Sequence, residues 1–160
     1  MESELLAKHH ATDSVVNDAS EPVEIVPVHP DRLDVAWPIV EPWLANALTY
    51  GPKLYETRDI YGYIAKKEMI LWIAIQSSRI VGMSITSVHQ FPQAMVADIH
   101  WTGGDKHKSE VWLDRMMNTL KKWAKHCGAD VLAGGGRRGW IKKYGFRETG
   151  VNFEMELKDV

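Results

Sequence analysis

A single cysteine, Cys127, in 160 residues excludes an internal disulfide framework and a cysteine-built zinc site, and it suits a reducing compartment. Long apolar runs are missing too: the longest, Met69 to Ile75, falls far short of the roughly 18 residues that a membrane span needs. The first twenty residues lack the basic-then-apolar order of a secretory signal. Together these absences predict a soluble, cytoplasmic protein with no membrane partner. No helix-turn-helix, zinc or RNA-binding signature is present, so sequence-specific nucleic-acid reading is not expected. There is no internal repeat, which excludes a solenoid. The adjacent pair His9 and His10 is too little to predict a metal site.

What is present is the balance of one globular domain, 45% apolar and 25% charged. The net charge of -2 conceals a division along the chain. Residues 1–20 carry Glu2, Glu4, Asp13 and Asp18 against Lys8 and show no periodic apolar face, so they read as a flexible acidic arm ahead of a domain spanning 21–160. Residues 105–147 hold eleven Lys and Arg against Asp105, Glu110, Asp114 and Asp130. That basic half predicts an anionic partner, whether a phosphorylated cofactor, nucleic-acid phosphates or an acidic protein surface; the plain alternative is a solvated helix face.

Val23 to Val28, β-branched and set between Pro22 and Pro30, predicts an edge strand. Asp31 can cap a short helix, and Pro38 and Pro42 predict a broken helix that resumes near Pro42 and ends near Gly51. Thr57 reads as the N-cap of a second helix reaching Lys67. Ile70 to Ile75 and Ile80 to Thr86, joined at Ser77-Ser78, predict an antiparallel hairpin, and Met95 to Trp101 a further strand. Leu113, Met116, Met117, Leu120, Trp123, Ala124 and Cys127 form the buried stripe of a long helix closed by Gly128. A short strand at 131–133, a Gly134-Gly135-Gly136 loop, a short helix from Arg138 to Tyr144 and one or two closing strands between Phe146 and Leu157 complete the chain. The fold class expected is an α/β (α+β) sandwich: a mixed, mostly antiparallel sheet with helices on both faces and one right-handed strand–helix–strand crossover.

This order, with Trp101-Thr102-Gly103-Gly104-Asp105-Lys106 before the long helix and Gly139 to Glu148 after it, resembles the GNAT superfamily of acyl-CoA N-acyltransferases over residues 23–158. Four stretches are similar to small GNAT-like proteins encoded among the head and tail genes of tailed bacteriophages: Met69-Ile70-Leu71-Trp72, His89-Gln90-Phe91-Pro92, Thr102 to Asp105 and Gly136 to Trp140. The resemblance implies acetyl-CoA as cosubstrate, an amine acceptor, and a phosphate-holding turn at Gly103 and Gly104. In the family a basic or glutamine residue opens that turn; here Trp101 and Thr102 stand before it and Asp105 follows. Lys106 and Lys108, with Arg137 and Arg138, would then face the cofactor's phosphates. The same Gly-Gly-Asp also reads as a simple turn and N-cap. The family's proton-donating tyrosine falls on Ile141, and Tyr144 lies three residues later, as a candidate acid or as a core residue beside Trp140.

Acyl transfer to an amine also needs a base. Asp98 and His100 lie two apart, hence on one face of their strand, with Ala97, Ile99 and Trp101 expected on the other. A polar pair is out of place on a strand covered on both sides, so it is the candidate base, with Asp98 orienting His100; the alternative is a solvated pair near a splayed edge. Cys127 is expected to be buried filler. Trp72, Trp112 and Trp123 are expected in the core, whereas Trp37, Trp43 or Trp140 are free to form a binding surface. The sequence therefore supports two functions. One is an N-acetyltransferase, in the host cytoplasm if phage-encoded. The other is a non-catalytic virion or assembly protein whose acidic arm mediates self-association.

Overall fold

The computed structural model describes residues 21–106, 109–136 and 138–158, with Ser109 and Glu110 as backbone only. The arm at 1–20, including His9 and His10, together with Lys108 and Arg137, lies outside the described residues. Five strands form one sheet in sequence order: β1 (Glu24–Pro27), β2 (Ile70–Gln76), β3 (Arg79–Gln90), β4 (Met95–Gly104) and β5 (Val131–Gly134). The first four pair antiparallel, and β5 joins β4 in parallel. Helices α1 (Leu33–Leu48) and α2 (Thr57–Ala65) cover one face; α3 (Ser109–His126) and the short α4 (Arg138–Tyr144) cover the other.

The strand-length apolar run of β2 is explained by this sandwich, because both of its faces are buried. Leu71 and Ile73 join Leu33, Val40, Leu44, Ile60, Ile64, Met83 and Ile85 in the α1/α2 layer. Trp72 and Ala74 join Val81, Ile99, Trp112, Met116, Met117 and Leu120 in the α3 layer. Within the latter, the Trp72 indole N–H donates to Thr86 Oγ1 over 2.9 Å, which satisfies two buried polar atoms at once. The β2–β3 hairpin turns at Ser77 and Ser78 with φ of 51° and 59°, the left-handed pair that a two-residue turn requires. Gly128, at φ 80°, ends α3 as expected.

Four expectations are corrected. The proline-rich helix is continuous from Leu33 to Leu48. Pro38 and Pro42 lie one turn apart on its exposed stripe, so the carbonyls they leave unpaired belong to the water side. Helix α2 is capped by Glu56, whose backbone N–H donates to Asp59 Oδ2 over 2.8 Å, while Thr57 is its first residue. Cys127 is exposed, one residue past the last turn of α3, where the apolar stripe has already left the sheet. Residues 145–157 form no strand: Val151, Phe153, Met155 and Leu157 alternate as a strand would, but all are exposed.

Candidate functional site

The two parallel strands part company. Strand β5 pairs with β4 only from Val96 to Ile99, opposite Val131 to Gly134, whereas β3 pairs with β4 as far as Gly104. From His100 to Gly104, roughly 13 Å of extended chain, the β5-side edge of β4 has no strand beside it among the described residues. The opening lies at the carboxyl ends of β4 and β5, the one parallel pair among the described strands. Gly134 ends β5, and Gly135 and Gly136 follow it, all exposed.

His100 stands at the fork. Ile85 pairs with Trp101 and Thr86 with Ile99, so His100 is the extra residue of a β-bulge in β4. The bulge reverses the alternation of the strand. Ile99 points into the α3 layer, yet Trp101 packs with the α1/α2 layer, on the side of Ile85, contrary to the expectation that the two share a face. Asp98 pairs with Ser87, and Ser87 Oγ lies 2.6 Å from His100 Nε2, which gathers Asp98, His100 and Ser87 on one side of the sheet. Burial pushes the imidazole below its ordinary pKa, and the Asp98 carboxylate opposes that shift only in part. At neutral pH His100 is therefore uncharged and able to accept a proton. Ser87 is the member of this group that sequence reading missed. Its place depends on a bulge register that no residue spacing reveals.

An aromatic wall continues from His100. Its ring centroid lies 5.4 Å from Trp101, Trp101 lies 5.5 Å from Tyr55 in the loop before α2, and Tyr55 lies 6.2 Å from Tyr63. Beyond Trp101, Thr102 Oγ1 meets Ser84 Oγ at 2.8 Å.

Gly103 and Gly104 are the last residues of β4, paired with Met83 and Gly82, and not a free loop. A side chain at Gly103 would place its Cβ 3.0 Å from Trp43 Cβ. At Gly104 it would come within 2.6 Å of both the Trp112 ring and the Val81 carbonyl. The two glycines thus let α1 and the first turns of α3 close onto the sheet. Trp112 fills the space above Gly82 and Gly104, and its buried indole N–H has no hydrogen-bond acceptor among the described residues. Lys106 is exposed just ahead of α3, and Arg138 is exposed as the first residue of α4.

Tyr144 is held elsewhere. Its hydroxyl donates to Asp114 Oδ1 over 2.7 Å, and Lys143 Nζ lies 3.2 Å from the same oxygen. The tyrosine hydrogen bond, supported by Lys143, keeps the Asp114 carboxyl below its ordinary pKa. Together with the packing of Trp140, Tyr144 and Phe146 against the α3 layer, this ties α4 to α3. Of the expected site residues, the structure brings together Asp98, His100 and Trp101, continues them along one strand through Thr102, Gly103 and Gly104 to Lys106, and sets Tyr144 against Asp114.

No protein-family profile matches the sequence, and no curated protein matches it. Solved structures do. A predicted acetyltransferase from Clostridium acetobutylicum, solved with acetyl-CoA, superposes with a TM-score of 0.65 at 17% identity, over 85% of this chain and 97% of its own. A GNAT family acetyltransferase of Staphylococcus aureus gives 0.62 at 11% identity, over 84% and 98%. An aminoglycoside acetyltransferase from an uncultured soil metagenomic sample, solved with sisomicin, gives 0.62 at 12% identity, over 85% and 97%. The fold is that of the GNAT acetyltransferases. Because these neighbours are covered almost end to end, the GNAT fold accounts for the whole sandwich and not for a shared fragment. No described helix is long and apolar enough to cross a membrane.

Proposed function

We propose that the protein transfers an acetyl group from acetyl-CoA to an amine, with the reaction centred on His100. The observation that carries this reading is the parting of β4 from β5 at a bulged, half-buried histidine. Acetyl-CoA supplies the activated acyl group as a thioester on a long arm containing two amides. The residues present fit that arm: β4 offers an extended edge of about the right length from His100 to Gly104, with no strand beside it among the described residues. Lys106 and Arg138, with Lys108 and Arg137 near them in sequence, supply positive charge for the phosphates. A solved neighbour of the same fold was crystallised with acetyl-CoA, which supports the choice of cosubstrate.

In this reading His100 takes the proton that the attacking ammonium must lose, through Nε2 directly or through the Ser87 hydroxyl bonded to it. Asp98 stabilises the imidazolium that forms. The amine nitrogen then bonds to the acyl carbon, the carbon–sulfur bond breaks, the nitrogen sheds its second proton to water as the amide forms, and the thiolate needs a proton. Tyr144 serves as that donor only by giving up its bond to Asp114, so His100 is the better-placed source of the returning proton. The rate should rise with pH as His100 deprotonates, with a midpoint below that of an ordinary histidine because burial disfavours its charge. A pH–rate profile on an amine panel checks this, and His100→Gln should remove the limb along with most of the turnover. An unchanged profile in His100→Gln would rule His100 out as the base.

A second reading, a non-catalytic protein that keeps the fold and joins an assembly, rests on the opposite charge of residues 1–20 and 105–147 alone. The acetyltransferase names of the solved neighbours favour the enzyme.

A further inference from the structure

A cavity of about 280 Å³ opens between α1 and α2, lined by Trp37, Pro38, Glu41, Thr57, Arg58 and Tyr61. Three of its features point to one class of ligand. Trp37 and Tyr61 meet edge to face, with centroids 5.0 Å apart and planes at 80°, so the wall presents both a ring face and a ring edge. Glu41 is half-buried beside them, and it accepts a hydrogen bond from Thr57 Oγ1 over 3.1 Å. Among the described residues no Lys, Arg or His forms an ion pair with Glu41. Arg58, the cation at the rim, is engaged by Glu56 with Nε 2.7 Å from the carboxylate.

A half-buried carboxylate that forms no ion pair among the described residues, set against aromatic faces, favours a cation: the ring quadrupoles and the carboxylate attract the same charge, and Arg58 is turned to Glu56. The open volume suits a compact organic cation better than a bare metal ion, since Glu41 supplies the single carboxylate among the lining residues. We propose that this α1/α2 cavity binds an alkylammonium group, with Glu41 as counter-ion, Thr57 fixing the carboxylate, and Trp37 and Tyr61 packing on the alkyl portion. The proposal does not depend on the acetyl-transfer reading, because none of the lining residues belongs to the His100 group and no acyl donor is needed.

The test is a two-dimensional amide NMR titration of the full chain with butylammonium and, separately, with the neutral isostere butanol. Saturable shifts centred on the Trp37 indole N–H and on the amides around Glu41 and Tyr61 are expected with the amine and not with the alcohol. Glu41→Gln keeps an acceptor for Thr57 and nearly the same volume, so the fold is preserved; it should weaken the amine by about tenfold or more. Tyr61→Phe, which keeps the ring, should leave binding within about twofold. Equal response to amine and alcohol, or undiminished amine binding in Glu41→Gln, would overturn the proposal.

Discussion

Gly104 shows how much of the site rests on single atoms. Its absent side chain lets the Trp112 ring and the Val81 carbonyl approach to distances that a Cβ would violate, and Gly82 performs the same service on the neighbouring strand. Gly104→Ala should therefore cost about 1–3 kcal/mol, as overpacking of a tight contact does, because backbone and not a flexible side-chain tip blocks the new methyl. Gly135→Ala, with open space around its Cβ and no positive φ, serves as the control and should be near neutral. Denaturant unfolding of the pair measures the difference. The glycine pair was legible in the sequence as a feature, but its packing was not. A Gly-Gly-Asp turn and a Gly-Gly strand end look the same until the partner tryptophan, eight residues further on, is seen lying over it. His100 was legible for a simpler reason, since a polar residue in a strand among apolar neighbours breaks pattern. Ser87 was hidden because the bulge sets its register.

At the scale of elements, the apolar spacing carried most of the information. Helix α3, the β2–β3 hairpin and the parallel return to β5 follow from period and turn chemistry alone. The proline helix did not, because exposure of Pro38 and Pro42 depends on which stripe the sheet selects. The tail from Phe146 to Leu157 has strand alternation but no strand, since a strand also needs a partner edge. Helix α4 is too short to be stable alone and is held by its contacts with α3. Asp114→Asn removes the charge that Tyr144 and Lys143 both address. Asp114 has a depressed pKa in the folded state, so its contribution is present above the unfolded value and is lost as pH falls through the folded one. Wild type should exceed Asp114→Asn in stability near pH 7 by about 1 kcal/mol or less, given the exposure of the group. The gap should close in acid. Thermal unfolding at both pH values checks the sign.

Across the whole molecule, the sheet is continuous on the β1 side and forked on the β5 side, and everything proposed for acetyl transfer gathers at that fork. The basic residues that follow β4 and β5 in sequence lead away from it, and the aromatic wall of Trp101 and Tyr55 borders it on the α2 side. The most direct measurement is amide hydrogen exchange with and without saturating acetyl-CoA. Added protection is expected over residues 100–104 and 134–136, where β4 and β5 diverge, with β1 and β2 unchanged. Unaltered exchange at 100–104 with acetyl-CoA in millimolar excess would contradict it.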